Sequence, residues 1–151
     1  MMLIRTEAPV DQLHIDSLIA EYAGQSQQQM FHQLRESGEL ALSVVLVDDD
    51  GELHGHVAAL SVWCEDFPRA VLVSLVAESI EQQSALCIEL AEMLMELGYG
   101  ALCARHQDGQ YYQWQDQQWQ LMQADFEVSE QGMDALAHFQ LPTLVKMEKS
   151  S

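Results

Sequence analysis

The stretch from Ala70 to Arg105 constrains the fold more than any other part of the chain. Ala70 to Val76 is apolar at every position but Ser74 and holds three valines, the signature of a buried strand. Ser79 to Leu97 carries the strongest helical pattern. Leu86, Leu90, Met93, Leu94 and Leu97 fall on one face, and Glu89, Glu92 and Glu96 on the other. Ser79 and Gln82 have capping-box spacing at its start, and Gly98 is placed to end it at a left-handed residue. Tyr99 to Arg105 reads as strand again. Strand, long amphipathic helix and strand make a βαβ unit, which requires two parallel strands joined by a right-handed crossover.

The flanking sequence adds antiparallel elements. Leu3-Ile4-Arg5 is a short first strand. Pro9 and Asp11 open a helix with Asp11 as its N-cap. Ile15, Leu18, Ile19 and Tyr22 give that helix a buried face, and Gly24 ends it. Met30, Phe31 and Leu34 stripe a second helix that closes near Gly38. Ala41 to Val47 and Leu53 to Trp63 are strands around an Asp48-Asp49-Asp50-Gly51 hairpin turn, with Gly55 at a bulge. Pro68 punctuates the next loop. Gln107 to Gln123 holds eight glutamines in seventeen residues, interleaved with Tyr111, Tyr112, Trp114 and Trp119; the aromatics argue for packing, and we expect a helix. A short helix around Met133 to Phe139 and a last strand over Thr143 to Met147 complete the tail. The result is an α/β (α+β) chain, a single domain over residues 1–151, with neither internal repeat nor linker.

Charge narrows the partners. Six basic residues face 24 acidic ones, for a formal net charge of −18. Such a field repels nucleic acid and anionic lipid and favours a cationic amine or a basic protein surface. No stretch has the length of a signal peptide or a membrane span, so we expect a cytoplasmic protein with no membrane partner. Cys64, Cys87 and Cys103 lie in apolar surroundings without C-x-x-C spacing and read as buried thiols. His54 and His56 form a strand H-x-H pair that only His106 and Asp108 could complete as a metal site; the turn and bulge of a hairpin explain the pair better, and no metal is expected. Neither a nucleophile elbow nor a Walker or Rossmann glycine pattern occurs.

Several short words carry a resemblance. Met2-Leu3-Ile4-Arg5, Glu39 to Val45 followed by Asp48 to Gly51, Gly55-His56-Val57, Ala85-Leu86, Glu96-Leu97-Gly98-Tyr99 and Tyr111-Tyr112 stand in the order in which similar words occur in Gcn5-related N-acetyltransferases. The likeness runs from about Met2 to Tyr112. It implies a mixed, mostly antiparallel sheet with helices on both faces and one parallel βαβ unit. It further implies acetyl-CoA as cofactor and transfer of its acetyl group to an amine. By the same resemblance, backbone groups of Leu72, Val73 and Ser74 would hold the thioester and pantetheine arm. Tyr112, or alternatively Tyr111, would protonate the departing thiolate. Glu65 and Asp66, at the end of the third strand, are candidates for the base toward the incoming amine, beside the plainer reading of solvated loop carboxylates. The pyrophosphate would lie on the segment containing Glu78, Ser79, Glu81, Gln82, Gln83 and Ser84.

That last segment departs from the family's pattern. Counting back from Gly98-Tyr99, Glu78, Glu81 and Gln83 stand where the motif has Gln or Arg, Gly, and Gly or Ala. Glycines there would let backbone N–H groups close on a pyrophosphate at a helix N-terminus. Here carboxylates complement the helix themselves and repel phosphate. Gln113-Trp114-Gln115 also replaces the family's Gly-x-Phe after the tyrosines. Two functions therefore stand side by side: an acetyltransferase degenerate in cofactor binding, or an inactive binding or regulatory module acting through its acidic surface. An exposed strand edge or the Gln-rich segment could also support a homodimer.

Overall fold

A computed structural model of the protein describes residues 2–64, 67–106, 109–123 and 126–139. The βαβ unit forms as its sequence demands. Strand β4 (Phe67–Ala77) leads into helix α3 (Ile80–Glu96), and strand β5 (Leu102–Arg105) returns parallel to β4. Ser79 caps α3, its Oγ accepting from the Gln82 N–H at 3.2 Å. Gly98, at φ +96°, takes the left-handed position that turns the chain out of the helix. Leu86, Cys87, Leu90 and Leu94 form the buried stripe, whereas Leu97 sits at the cap and is exposed.

The remaining strands extend this unit to a seven-stranded sheet. β1 (Leu3–Thr6), β2 (Leu40–Val47) and β3 (Leu53–Cys64) pair antiparallel with one another and with β4. Beyond β5 come β6 (Tyr111–Gln115) and β7 (Gln118–Met122), again antiparallel. α1 (Gln12–Ala23), α2 (Gln25–Ser37) and α4 (Glu130–His138) supply the other layer. Val44, Leu46, Val57, Ala59, Leu72 and Ala104 point to the α3 face. Val45, Val47, Ala58, Leu60, Val71 and Cys103 point to the α1–α2–α4 face. The period-2 alternation of the strands thus feeds two cores.

Three local expectations change. Residues 111–122 form a hairpin rather than a helix. Asp116 and Gln117 both have positive φ (53° and 62°), the two-residue loop that matches strand twist. Trp114 and Trp119 face each other across it with ring centroids 5.1 Å apart. Cross-strand aromatic pairing and the aromatic preference for pleated surfaces outweigh the helical tolerance of glutamine. Asp11 is buried at the end of a 3-10 turn (Pro9–Asp11) and stands at the N-cap position of α1, but its side chain makes no capping hydrogen bond to that helix. Its carboxylate accepts from the Ala8 N–H and pairs with both Arg5 Nη atoms at 2.7 and 3.1 Å. Tyr22 lies on the edge of the α1 stripe and is exposed. The tail helix forms as α4. The strand expected over Thr143 to Met147 lies outside the described residues, as do Glu65, Asp66 and Asp108.

Candidate functional site

Two irregularities in the sheet define the site. The first is a register break in β4. Ala58 pairs with Ser74, but its neighbour Ala59 pairs with Leu72, which leaves Val73 as the extra residue of a β-bulge. The side chains record the same break. Ala70 and Leu72 face α3 and Val71 and Val73 face α1 and α2; beyond the bulge Leu75 and Ala77 face α3 and Val76 faces the other layer. The parity inverts at Val73-Ser74. The second irregularity is the seam between β4 and β5. Their pairing consists of Ala70 with Leu102 and Val71 with Cys103. β4 then runs on to Ala77 without a described strand on its β5 side. Leu72, Val73 and Ser74, the residues expected to hold a thioester, sit at the point where bulge and seam coincide.

A buried polar network fixes the bulge. Gln27, from α2, donates through Nε2 to the Val73 carbonyl at 3.0 Å. His56 bridges Ser43 and Ser74, with each ring nitrogen 2.8 Å from a serine Oγ. His56 is fully buried and packs edge-on to Phe31, its ring centroid 5.0 Å away. Desolvation, with the nearby Arg35 charge as a smaller cause, pushes its pKa down to about 3. A neutral imidazole has one donor and one acceptor, so one serine hydroxyl donates to the ring and the other accepts from it.

The mouth of α3 is occupied by the protein's own groups. Gln82 N–H is taken by Ser79 Oγ, and the Glu78 N–H is taken by Gln82 Oε1 at 3.0 Å. Glu81 lies exposed in the first turn. Gln83 is buried, and its Oε1 has no hydrogen-bond partner among the described residues. Glu78 Oε1 lies 2.9 Å from His54 Nδ1, and His54 Nε2 lies 2.8 Å from Asp48 Oδ2. The hydrogen bond to Glu78, followed by that to Asp48, raises the His54 pKa; the His54 contact in turn lowers that of Asp48. The His54 ring thus ties the β2–β3 turn to the start of α3.

The two histidines do not act together. β3 slips by one residue at His54, since Leu46 pairs with Gly55 and Val47 with Leu53. The bulge expected at Gly55 therefore falls on its neighbour. Gly55 itself is needed for close approach, because a Cβ there would meet Leu86 Cδ1 at 3.0 Å. Oxygen and nitrogen atoms of Asp48, Glu52 and His54 lie within 4.8 Å of one another, with His54 already bonded at both nitrogens. Next to this cluster a depression of about 400 Å³ is lined by His14, Ser17, Leu18, Glu21, Gly51, Glu52 and Leu53. Tyr112 is buried in the α3-side core, its ring edge-on to His106. Tyr111 points to the opposite side and packs at right angles on Phe126, with centroids 4.5 Å apart. Cys87 and Cys103 lie buried as thiols. Sequence reasoning missed Gln27 and the Ser43–His56–Ser74 bridge, because a polar residue in an amphipathic helix gives no sign of a partner 46 positions away.

The mixed, mostly antiparallel sheet with helices on its faces and one parallel strand pair is the fold expected of the Gcn5-related N-acetyltransferases, and the chain belongs to that family. It is 34% identical over 110 residues to the uncharacterized N-acetyltransferase YhbS of Escherichia coli K12, a match covering 67% of this chain and 65% of the relative. The O157:H7 form of YhbS matches to the same extent. The chain therefore spans a little under two thirds of the length of the curated relatives it matches. The crystal structure of E. coli YhbS in complex with CoA is similar at a TM-score of 0.65 and 30% identity, over 70% of this chain and 63% of that one. A GNAT family acetyltransferase from Brucella melitensis in complex with acetyl-CoA shares the fold at a TM-score of 0.67 and 19% identity, over 87% and 97% of the two chains. No family model matches the chain. Among the described residues, no helix is long and apolar enough to cross a membrane.

Proposed function

We propose that this protein keeps the thioester and pantetheine end of an acetyl-CoA site and has closed the pyrophosphate end, which makes it a degenerate acetyltransferase. The observation that carries this reading is the self-satisfied mouth of α3. Gln82 Oε1 and Ser79 Oγ take N–H groups that a pyrophosphate would need, and the Glu78 carboxylate stands beside them. A unit charge about 5 Å from a phosphate costs roughly 1–3 kcal/mol between the dielectric of water and that of a protein surface. Glu78 is half-exposed, which places it at the lower end of that range. The arm side is supported by the bulge at Val73 and by the β5 side of β4, which has no strand partner beyond Val71 among the described residues. The CoA complex of YhbS supports it by family relation.

The acceptor end fits a cation. Glu21 and Glu52 line the depression between α1 and the β2–β3 turn, and the net charge of −18 draws amines toward the surface. Of the two tyrosines, Tyr111 is committed to packing on Phe126, so the donor to a departing thiolate would be Tyr112. Calorimetric titration with acetyl-CoA and with acetyl-pantetheine, which lacks the nucleotide, tests the proposal. We expect the two to bind within about threefold of each other, a difference below 1 kcal/mol. Acetyl-CoA binding more than about tenfold tighter, with amine-dependent release of free thiol, would refute it.

A further inference from the structure

We infer that Gln27 is a positioning residue for the acyl thioester, acting from α2 through the β4 bulge. The inference rests on the reading that the β4 slot takes a pantetheine thioester. It begins with a backbone group that the sheet leaves over. Val73 is the one residue between Leu72 and Ser74 without a β3 partner. Its carbonyl is buried, and an unpaired buried carbonyl is costly. Gln27 Nε2 supplies the partner at 3.0 Å, from a side chain only 6% exposed.

The consequence reaches past that one bond. A strand that slips by one residue sends every following side chain to the opposite face. In the regular register Ser74 would turn away from His56, and Leu75 and Ala77 would leave the α3-side core. Gln27 thus favours the bulged register over the straight one. The bulged register sets the direction of the backbone groups at Val73 and Ser74 beside the open seam. A thioester carbonyl needs a donor aimed at one point, whereas a thiol does not. The contribution of Gln27 therefore appears as discrimination between the acylated and the free arm. The neighbouring Ser43–His56–Ser74 bridge holds the other side of the bulge, so loss of Gln27 loosens the site without removing it.

The test compares acetyl-pantetheine with pantetheine, by titration monitored through the backbone amide resonances of Val73 and Ser74. We expect wild type to prefer the thioester by about fivefold, the size of one neutral hydrogen bond. Gln27→Met, similar in length but without a donor, should reduce this preference to near unity and change pantetheine binding by less than about twofold. Gln27→Glu should recover the preference at acidic pH, where the protonated carboxyl donates, and lose it once ionised. Amide exchange at Val73 and Ser74 should quicken in Gln27→Met, which reads the bulge even where ligand binding is weak. A folded Gln27→Met protein that keeps the full acyl preference overturns the inference and leaves the proposed site standing. Absence of binding of either compound to wild type overturns both.

Discussion

Acid should expose His56 as a liability of the core. The ring is fully buried, and its pKa falls from 6.5 to about 3 on folding. Between those values the unfolded chain binds a proton that the folded chain refuses. Its contribution is therefore fully present above about pH 6.5 and is lost as pH falls toward about 3. Each pH unit in that window is worth about 1.4 kcal/mol, and the whole window at most roughly 4–5 kcal/mol. A domain of this size is stable by about 5–15 kcal/mol, so this single ring can bring it close to unfolding. The clean perturbation is His56→Gln, which keeps a neutral polar side chain and removes the titration. At about pH 7.5 the variant should be less stable than wild type by roughly 1–3 kcal/mol, because a buried serine hydroxyl loses its partner. Below about pH 6.5 the gap should close by about 1.4 kcal/mol per unit and vanish near pH 5. Urea unfolding followed by tryptophan fluorescence measures both proteins, and the difference cancels the other titrating groups. A gap that stays constant from about pH 7.5 to about pH 5 would show that His56 is not held neutral by burial.

Three further outcomes follow from the same structure. The triple change Glu78→Gln, Glu81→Gly and Gln83→Ala restores the family's pattern at the mouth of α3. It should raise acetyl-CoA affinity by roughly ten- to a hundredfold over that of acetyl-pantetheine; equal gains for both ligands would place the defect elsewhere. His54 has a raised pKa from Glu78 and Asp48, so its stabilising ties are fully present below about pH 6.5 and weaken as pH rises through the raised value. Nuclear magnetic resonance titration of the ring should show a midpoint above 6.5 that Glu78→Gln lowers. Gln117→Gly should stabilise the β6–β7 hairpin by about 1 kcal/mol, since only glycine adopts a φ of 62° without penalty; the melting temperature reads it, and a fall would contradict the turn geometry.

The long capped helix, its flanking strands and the Asp-Gly turn were readable because each is encoded locally, by periodicity, a cap or a turn residue. The same holds for the conflict at Glu78, Glu81 and Gln83, which needed only a count back from Gly98. The hairpin at 111–122 was hidden because its turn, Asp116-Gln117, has glutamine where a two-residue loop ordinarily has glycine, and so gives a weak turn signal. Its alternation, Tyr112-Gln113-Trp114, is too short to separate strand from helix by period alone. The bulge at Val73 was hidden for another reason. Apart from Ser74, Val71 to Val76 is apolar on both faces, so a parity inversion leaves no trace in the hydrophobic pattern. Asp11 looked like a cap because its part-buried salt bridge to Arg5 depends on a strand that precedes it in the chain.

The narrow seam between β4 and β5 also sets an order of assembly. The β2–β3 and β3–β4 pairings are made between neighbours in sequence, and each closes only a short loop. Joining Ala70 to Leu102 must first close a loop across the whole of α3, and it returns two residue pairs of strand contact. Local pairings form early and distant ones late. The β2–β4 meander, with its bulge, and the β6–β7 hairpin therefore form ahead of the β4–β5 seam, which is held by fewer residue pairs than either of them. A slot that depends on that seam being parted lies where the chain has least to lose by parting it.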